Sequence, residues 1–237
     1  MRWTGNVPPP ATGMVALAGE AMTWLMLFFR QYRRVSPPAC GSRDDDDAMH
    51  DHYTRRMFAP RSIRHCRACG GEVEYRVPAD DNRDRATCTV CTTIHYENPL
   101  NVVGTLPVWE DKVLLCRRAI EPRHGLWTLP AGFMELGETT AQGAIRETTE
   151  EAGARVELEG LYSLINVVRV GQVHLFYRAR MLDIDFVPGP ESLEAKLFAE
   201  DEVPWDEIAF RTTRMTLEFF FADRRAGRFG LHLADVS

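Results

Sequence analysis

Glu147, Glu150 and Glu151 stand at i, i+3 and i+4 within the segment GFMELGETTAQGAIRETTEEAGA, residues 132–154. On an α-helix those positions share one face, so three carboxylates would sit side by side. Carboxylates crowded in this way repel one another unless cations lie between them. Hard oxygen donors of this kind suit Mg²⁺ or Mn²⁺ better than zinc. Arg146 precedes Glu150 by four residues, where its guanidinium can hold that carboxylate. Most Glu-rich helix faces are only solvated charge, so the flanking residues decide the matter. Thr139 with Gln142 three residues later forms a capping-box pattern, and Gly153 supplies a left-handed stop. A helix over about residues 140–152 is predicted, with its start and end both marked in the sequence.

A second constellation is made of sulfur. Four of the six cysteines fall as Cys66-x2-Cys69 and Cys88-x2-Cys91, with Gly70 and Gly71 after the first pair to permit a tight knuckle. This spacing predicts a Cys₄ zinc ribbon closed around one structural ion; two disulfides are the competing reading. So short a module has no room for a core of its own, and the zinc would supply much of its folding free energy. Cys40 and Cys116 lie outside the pattern, and Cys116, in the apolar run VLLC, is expected to be buried in a strand.

The glutamate segment reads Gly132, five residues, Glu138, seven residues, Arg146-Glu147, two residues, Glu150-Glu151, one residue, Gly153, and this resembles the Nudix box. The resemblance implies a loop-helix-loop that binds metal and cleaves a nucleoside diphosphate linked to another group. It implies Glu147 and Glu151 as the main metal ligands, with Glu150 assisting and Glu138 and Arg146 supporting the helix. The backbone carbonyl of Ala131 would join the metal shell. One position departs from the pattern: Thr148 stands where the family places a larger apolar residue, which is expected to loosen packing without removing a ligand.

The chain has 237 residues, 45% of them hydrophobic, enough for one ordinary core and a small module. A net charge of −6 speaks against a nucleic-acid surface, because binding a phosphate backbone needs a concentrated basic patch. A small nucleotide substrate needs only a few local arginines. Residues 14–29, MVALAGEAMTWLMLFF, are followed by Arg30, Arg33 and Arg34 and look like a short membrane anchor, but they fall short of a span and contain Glu20. The flank charges lie on the wrong side for a signal peptide. The Pro-rich and charged stretch SPPACGSRDDDDAMHDHYTRR reads as disordered linker. Residues 1–60 are therefore expected to be a dispensable extension, with Met49 or Met57 as the start of the native protein. Residues 61–97 form the ribbon and 98–237 the hydrolase domain, and the location is expected to be cytoplasmic.

From residue 101 onward strands and helices alternate. NVVGTLPVW and KVLLCRRA predict a hairpin turning at Glu110 and Asp111, and VELEGLYSLINVVRV with QVHLFYRARML predicts a second pair turning near Gly171. A short strand AKLFA precedes a helix over about residues 212–225, whose Met215, Leu217, Phe219, Phe220 and Phe221 form a core-facing side. RFGLHLADVS is left as an edge strand or a tail. The predicted fold is an α/β/α sandwich around a mixed sheet, consistent with the Nudix fold.

A closer resemblance covers about residues 64–225. The stretch HYENPLNVVGTLPVWEDKVLLCRRAIEPRHGLWTLPAGFMELGET and the later FVPGPESLEAKLFAEDEVPWDEIAF resemble zinc-ribbon Nudix hydrolases, a group that includes plant chloroplast FAD and ADP-ribose pyrophosphatases and their bacterial relatives. The implied reactions are FAD to FMN and AMP, or ADP-ribose to AMP and ribose 5-phosphate. In several Nudix pyrophosphatases the general base comes from a loop after the box. Glu191 and Glu194 in PGPESLE are the local candidates, with Glu194 preferred because it directly precedes a strand. Arg117, Arg118 and Arg123 are candidates for the substrate phosphates, and Trp127, Tyr96 and Phe176 for stacking on a base or flavin. An NADH pyrophosphatase also has a ribbon, but its SQPWPFPxS segment has no counterpart here. The proline of many ADP-ribose hydrolases, about sixteen residues past the box, is replaced by Arg169 and Val170, which favours FAD. A non-enzymatic nucleotide sensor is the remaining alternative, disfavoured by the complete Glu and Arg set. The resemblance also allows a homodimer.

Overall fold

A computed structural model of the chain describes residues 63–236. The apolar stretch 14–29 and the acidic linker lie outside the described residues. The ribbon is a three-stranded sheet ordered β1 (Val73–Arg76), β2 (Arg85–Cys88), β3 (Ile94–His95). The two Cys-x2-Cys segments form its knuckles, where Gly70 N–H bonds the Cys66 carbonyl at 2.9 Å and Thr92 N–H the Cys88 carbonyl at 3.2 Å.

The larger sheet begins with the expected hairpin, β4 (Leu100–Trp109) against β5 (Lys112–Arg118). Two very short strands follow, β6 (Trp127–Thr128) on β5 and β7 (Ala131–Phe133) on β4. After helix α1 (Thr140–Ala152) come β8 (Val156–Val167) and β9 (Gln172–Met181), antiparallel and turning through a 3₁₀ turn at Val168–Val170 that Gly171 closes. Strand β10 (Ser192–Phe198) pairs with β5, helix α2 (Arg211–Ala226) follows, and β11 (His232–Val236) adds a parallel edge to β8. The order is β10-β5-β4-β9-β8-β11, with β4 and β9 parallel in the middle, so the sheet is mixed as predicted.

The helices cover opposite faces, as neighbouring residues of β9 demonstrate. Tyr177 bonds Thr140 of α1 at 2.6 Å, whereas Phe176 joins Leu217, Phe220 and Phe221 of α2 in the main core. Successive strand residues point to opposite faces, so this one pair defines the sandwich. The α2 side is rich in aromatics, with Trp127 edge-on to Phe198 at 4.9 Å between centroids. The α1 side is built from smaller groups, among them Leu114, Cys116, Ala152 and Ala154. Cys116 is buried, and burial raises its thiol pKa, which fits an inert strand residue.

Thr148 does not leave the gap expected of it. Its hydroxyl bonds Thr105 Oγ1 of β4 at 2.6 Å and the Ala144 carbonyl at 2.7 Å, and both threonines are fully buried. A hydroxyl pair thus takes the place of an apolar contact and fixes α1 on the sheet. Thr148→Val alone would strand the Thr105 hydroxyl and is expected to cost about 1–3 kcal/mol, whereas Thr105→Val with Thr148→Val should lie closer to wild type. Urea denaturation of the two single variants and the double variant measures the coupling; strictly additive losses would show that the hydroxyls do not act as a pair.

Candidate active site

Helix α1 is capped as its sequence demands. Thr139 Oγ1 accepts Gln142 N–H at 3.2 Å, Gln142 Oε1 accepts Thr139 N–H at 2.8 Å, and Gly153 closes the helix at φ 64°. This fixes the rotation that turns Glu147 and Glu151 inward. Arg146 is the hub beside them. It grips Glu138 through two bonds of 3.0 and 2.8 Å, reaches Glu147 at 2.7 Å and Glu150 at 3.0 Å, and donates to the Phe133 carbonyl at 3.2 Å. The Arg146 guanidinium in turn holds Glu138 below the usual carboxylate range.

Glu147 and Glu151 have the opposite electrostatics. The side chain of Glu147 is 12% exposed and Glu151 is 7% exposed. Burial pushes Glu147 up to about 7, against the pull of Arg146, with Glu150 and Glu191 adding repulsion. Burial likewise pushes Glu151 up to about 8, although it accepts the Ala131 N–H at 2.9 Å. Two desolvated carboxylates that favour the neutral form are what a divalent cation would relieve. Gly132 makes the room, because a Cβ there would overlap the Glu147 carboxylate. The donors are all carboxylate oxygen, so the set fits Mg²⁺ or Mn²⁺. At Ala131 the contact that the structure shows is the backbone N–H, donated to Glu151.

The PGPESLE loop meets the end of this helix. Gly189 N–H bonds the Glu151 carbonyl at 3.0 Å, and a Cβ on Gly189 would overlap the Glu150 carbonyl. The neighbouring Glu191 carbonyl accepts Ala119 N–H at 2.8 Å. Glu191 is half-buried, and burial raises its carboxyl, opposed by Arg118 and reinforced by Glu150. Glu194 lies beyond a register shift in β10, exposed and paired across the strands with Arg117. The glutamate near the box is therefore Glu191, because the loop is held on the helix before the strand begins.

The remaining candidates separate clearly. Arg118 anchors Nε on the Pro122 carbonyl at 2.8 Å, lies over the Phe210 ring at 5.0 Å, and feels the charges of Glu151 and Glu191. Arg117 donates Nε to the Gly125 carbonyl at 2.8 Å, so both arginines brace the loop in which Arg123 adopts φ 67°. Trp127, 6% exposed, and Phe176, 2% exposed, are core residues and offer no ring face to a ligand. Tyr96 is exposed beside the ribbon under Arg85, 5.2 Å away. Reading the sequence alone missed the close approach at Gly189, for which a glycine between two prolines was the available signal.

In the ribbon all four thiols converge. The Sγ atoms of Cys66, Cys69, Cys88 and Cys91 lie within 4.8 Å of one another, with pairs at 3.3, 3.5 and 3.6 Å. A zinc tetrahedron with bonds of about 2.3 Å has edges of about 3.8 Å. The cysteines are free thiols, so the disulfide alternative falls away. Residues 64–97 match the family description "Nudix N-terminal" and residues 99–216 "NUDIX domain". A NUDIX hydrolase crystal structure from Nitrosomonas europaea is 50% identical at TM-score 0.71, over 73% of this chain and 99% of that one. The chain belongs to the Nudix hydrolases.

Among curated relatives, an NAD-capped RNA hydrolase NudC from Vibrio atlanticus is 36% identical over 40% of this chain and 34% of its own length. An ADP-ribose pyrophosphatase from Methanocaldococcus jannaschii is 29% identical over 48% of this chain and 69% of its own. The chain thus spans about a third of the length of the NudC relative. In this Nudix hydrolase, no helix among the described residues is long and apolar enough to cross a membrane.

Proposed function

We propose that this chain hydrolyses the diphosphate of a nucleotide joined to a second group, with FAD and ADP-ribose as substrates. The observation that carries the reading is the desolvated pair Glu147 and Glu151, with Glu191 close enough to act on both and Arg118 on Glu151. Magnesium or manganese held by Glu147, Glu151 and Glu150 would screen the diphosphate and acidify a water. Glu191 takes the proton from the attacking water, and burial has already raised its basicity for that task. The new P–O bond forms as the bridging P–O bond breaks, giving FMN and AMP from FAD, or AMP and ribose 5-phosphate from ADP-ribose. Arg118 offers its guanidinium to the phosphate oxygens, and Arg146 holds the glutamates in register.

The ADP-ribose pyrophosphatase relative supports this substrate class. Similarity to an NAD-capped RNA hydrolase favours a second reading, an NAD-type diphosphate. That reading lacks the SQPWPFPxS segment in this chain. A panel of FAD, ADP-ribose, NADH and a diadenosine polyphosphate with Mg²⁺ or Mn²⁺, with products separated by chromatography, distinguishes the two. FAD or ADP-ribose is expected to exceed NADH in kcat/KM by about tenfold or more; a strong preference for NADH would overturn the assignment.

A further inference from the structure

His95 closes β3 with its Nε2 3.3 Å from Cys66 Sγ. The antiparallel register places it opposite Ala86, two residues before Cys88. Two of the other sulfurs have donors of their own. Cys88 Sγ accepts the amides of Val90 and Cys91 at 3.4 Å each, and Cys91 Sγ lies 3.1 Å from Thr93 Oγ1. Cys66 Sγ accepts Ala68 N–H at 3.3 Å, so His95 supplies its second nitrogen contact and brings a side chain to the cluster.

A divalent ion with four thiolates carries a net charge of about −2. Hydrogen bonds to the sulfurs spread that charge and fix the direction in which each sulfur points. His95 is not a fifth ligand. The four sulfurs form the mutually close donor set, His95 stands outside it in contact with Cys66, and four sulfurs already close a tetrahedron. We propose that His95 belongs to the metal site as a hydrogen-bond donor, its Nε2–H held on the Cys66 thiolate, and that this bond sets how firmly the ribbon keeps its metal. The imidazole then carries its proton on Nε2. Nothing in the proposal depends on hydrolysis by the box.

The test uses the full chain loaded with zinc, and in parallel with cobalt, in wild type, His95→Phe and His95→Gln. Phenylalanine keeps a ring and removes the donor; glutamine restores an N–H at similar reach. His95→Phe is expected to weaken zinc binding about 10- to 100-fold in competition with a chromogenic chelator. Its sulfur-to-cobalt charge-transfer band should move to lower energy, because the Cys66 sulfur becomes more electron-rich, while the d–d bands stay those of a four-sulfur tetrahedron. His95→Gln should recover most of the affinity. Zinc affinity within twofold of wild type and an unmoved charge-transfer band in His95→Phe would overturn the proposal. A wild-type d–d pattern of three sulfurs and one nitrogen that changes in His95→Phe would also overturn it, since His95 would then be a ligand. If His95→Phe fails to fold, His95→Ala set against His95→Gln decides: zinc held more than tenfold less tightly in the alanine variant and recovered in the glutamine variant supports the donor role, and equal affinity in the two refutes it.

Discussion

Replacing Glu151 with glutamine is expected to cut diphosphate hydrolysis about a thousandfold while making the protein without its catalytic metal more stable at pH 8. Both effects come from one carboxylate. Glu151 is buried, accepts the Ala131 N–H, and is pushed up to about 8 from 4.5, chiefly by burial. A group raised in the folded state contributes stability that is fully present below its unfolded value and lost as pH rises through its folded value. Protein free of Mg²⁺ and Mn²⁺ should therefore lose stability between about pH 4.5 and 8, and Glu147, pushed up to about 7, adds to the same slope. Added Mn²⁺ should recover more stability at pH 8 than at pH 5, because only ionised carboxylates bind it. A glutamine oxygen can still accept the Ala131 N–H but never ionises, so the variant should show a shallower slope and a smaller response to Mn²⁺. Melting curves across this range check it, in buffers without chelator so that the ribbon keeps its metal. A Glu151→Gln variant that retains turnover, or is no more stable than wild type at pH 8, would refute the assigned role.

Glu191→Gln should lower kcat by about 10²- to 10⁴-fold, with Glu194→Gln within about twofold of wild type. The contrast is positional. Glu191 sits on the loop that Gly189 lays against the last carbonyls of α1, half-buried, within the fields of Glu150 and Arg118. Glu194 is exposed on β10, past the register shift and facing Arg117 along the ladder. The acid limb of the kcat–pH profile should disappear in Glu191→Gln while Mn²⁺ affinity is retained, which separates a proton acceptor from a metal ligand. The reverse ranking of the two variants would return the role to Glu194, as adjacency to a strand first suggested.

The box helix and the ribbon were legible in the sequence because both are local. A capping box, a glycine stop and carboxylates at i, i+3 and i+4 define one helix without reference to the rest of the chain, and each Cys-x2-Cys pair closes its own knuckle. The long strands and α2 were visible for the same reason, through their apolar patterns. β6 and β7 were not, since strands of two and three residues around Pro130 carry no periodicity. Glu191 and Glu194 could not be ranked from one sequence, because the answer depends on where Gly189 meets a helix about forty residues earlier. Trp127 and Phe176 are candidates for stacking in the sequence because composition does not say which face of a strand is wet; both are core. Thr148 read as a packing defect until its partner Thr105, 43 positions away, supplied the second hydroxyl.

The most direct test of the account is hydrolysis of FAD and of ADP-ribose in ¹⁸O-labelled water by the purified full chain with Mg²⁺ or Mn²⁺, with the products weighed by mass spectrometry. The account predicts metal-dependent release of AMP with its partner product. One ¹⁸O should be found in a phosphate group of one product and none at carbon, and the reaction should be lost in Glu151→Gln. No metal-dependent AMP from either compound, label at a sugar carbon, or undiminished turnover in the variant would contradict it.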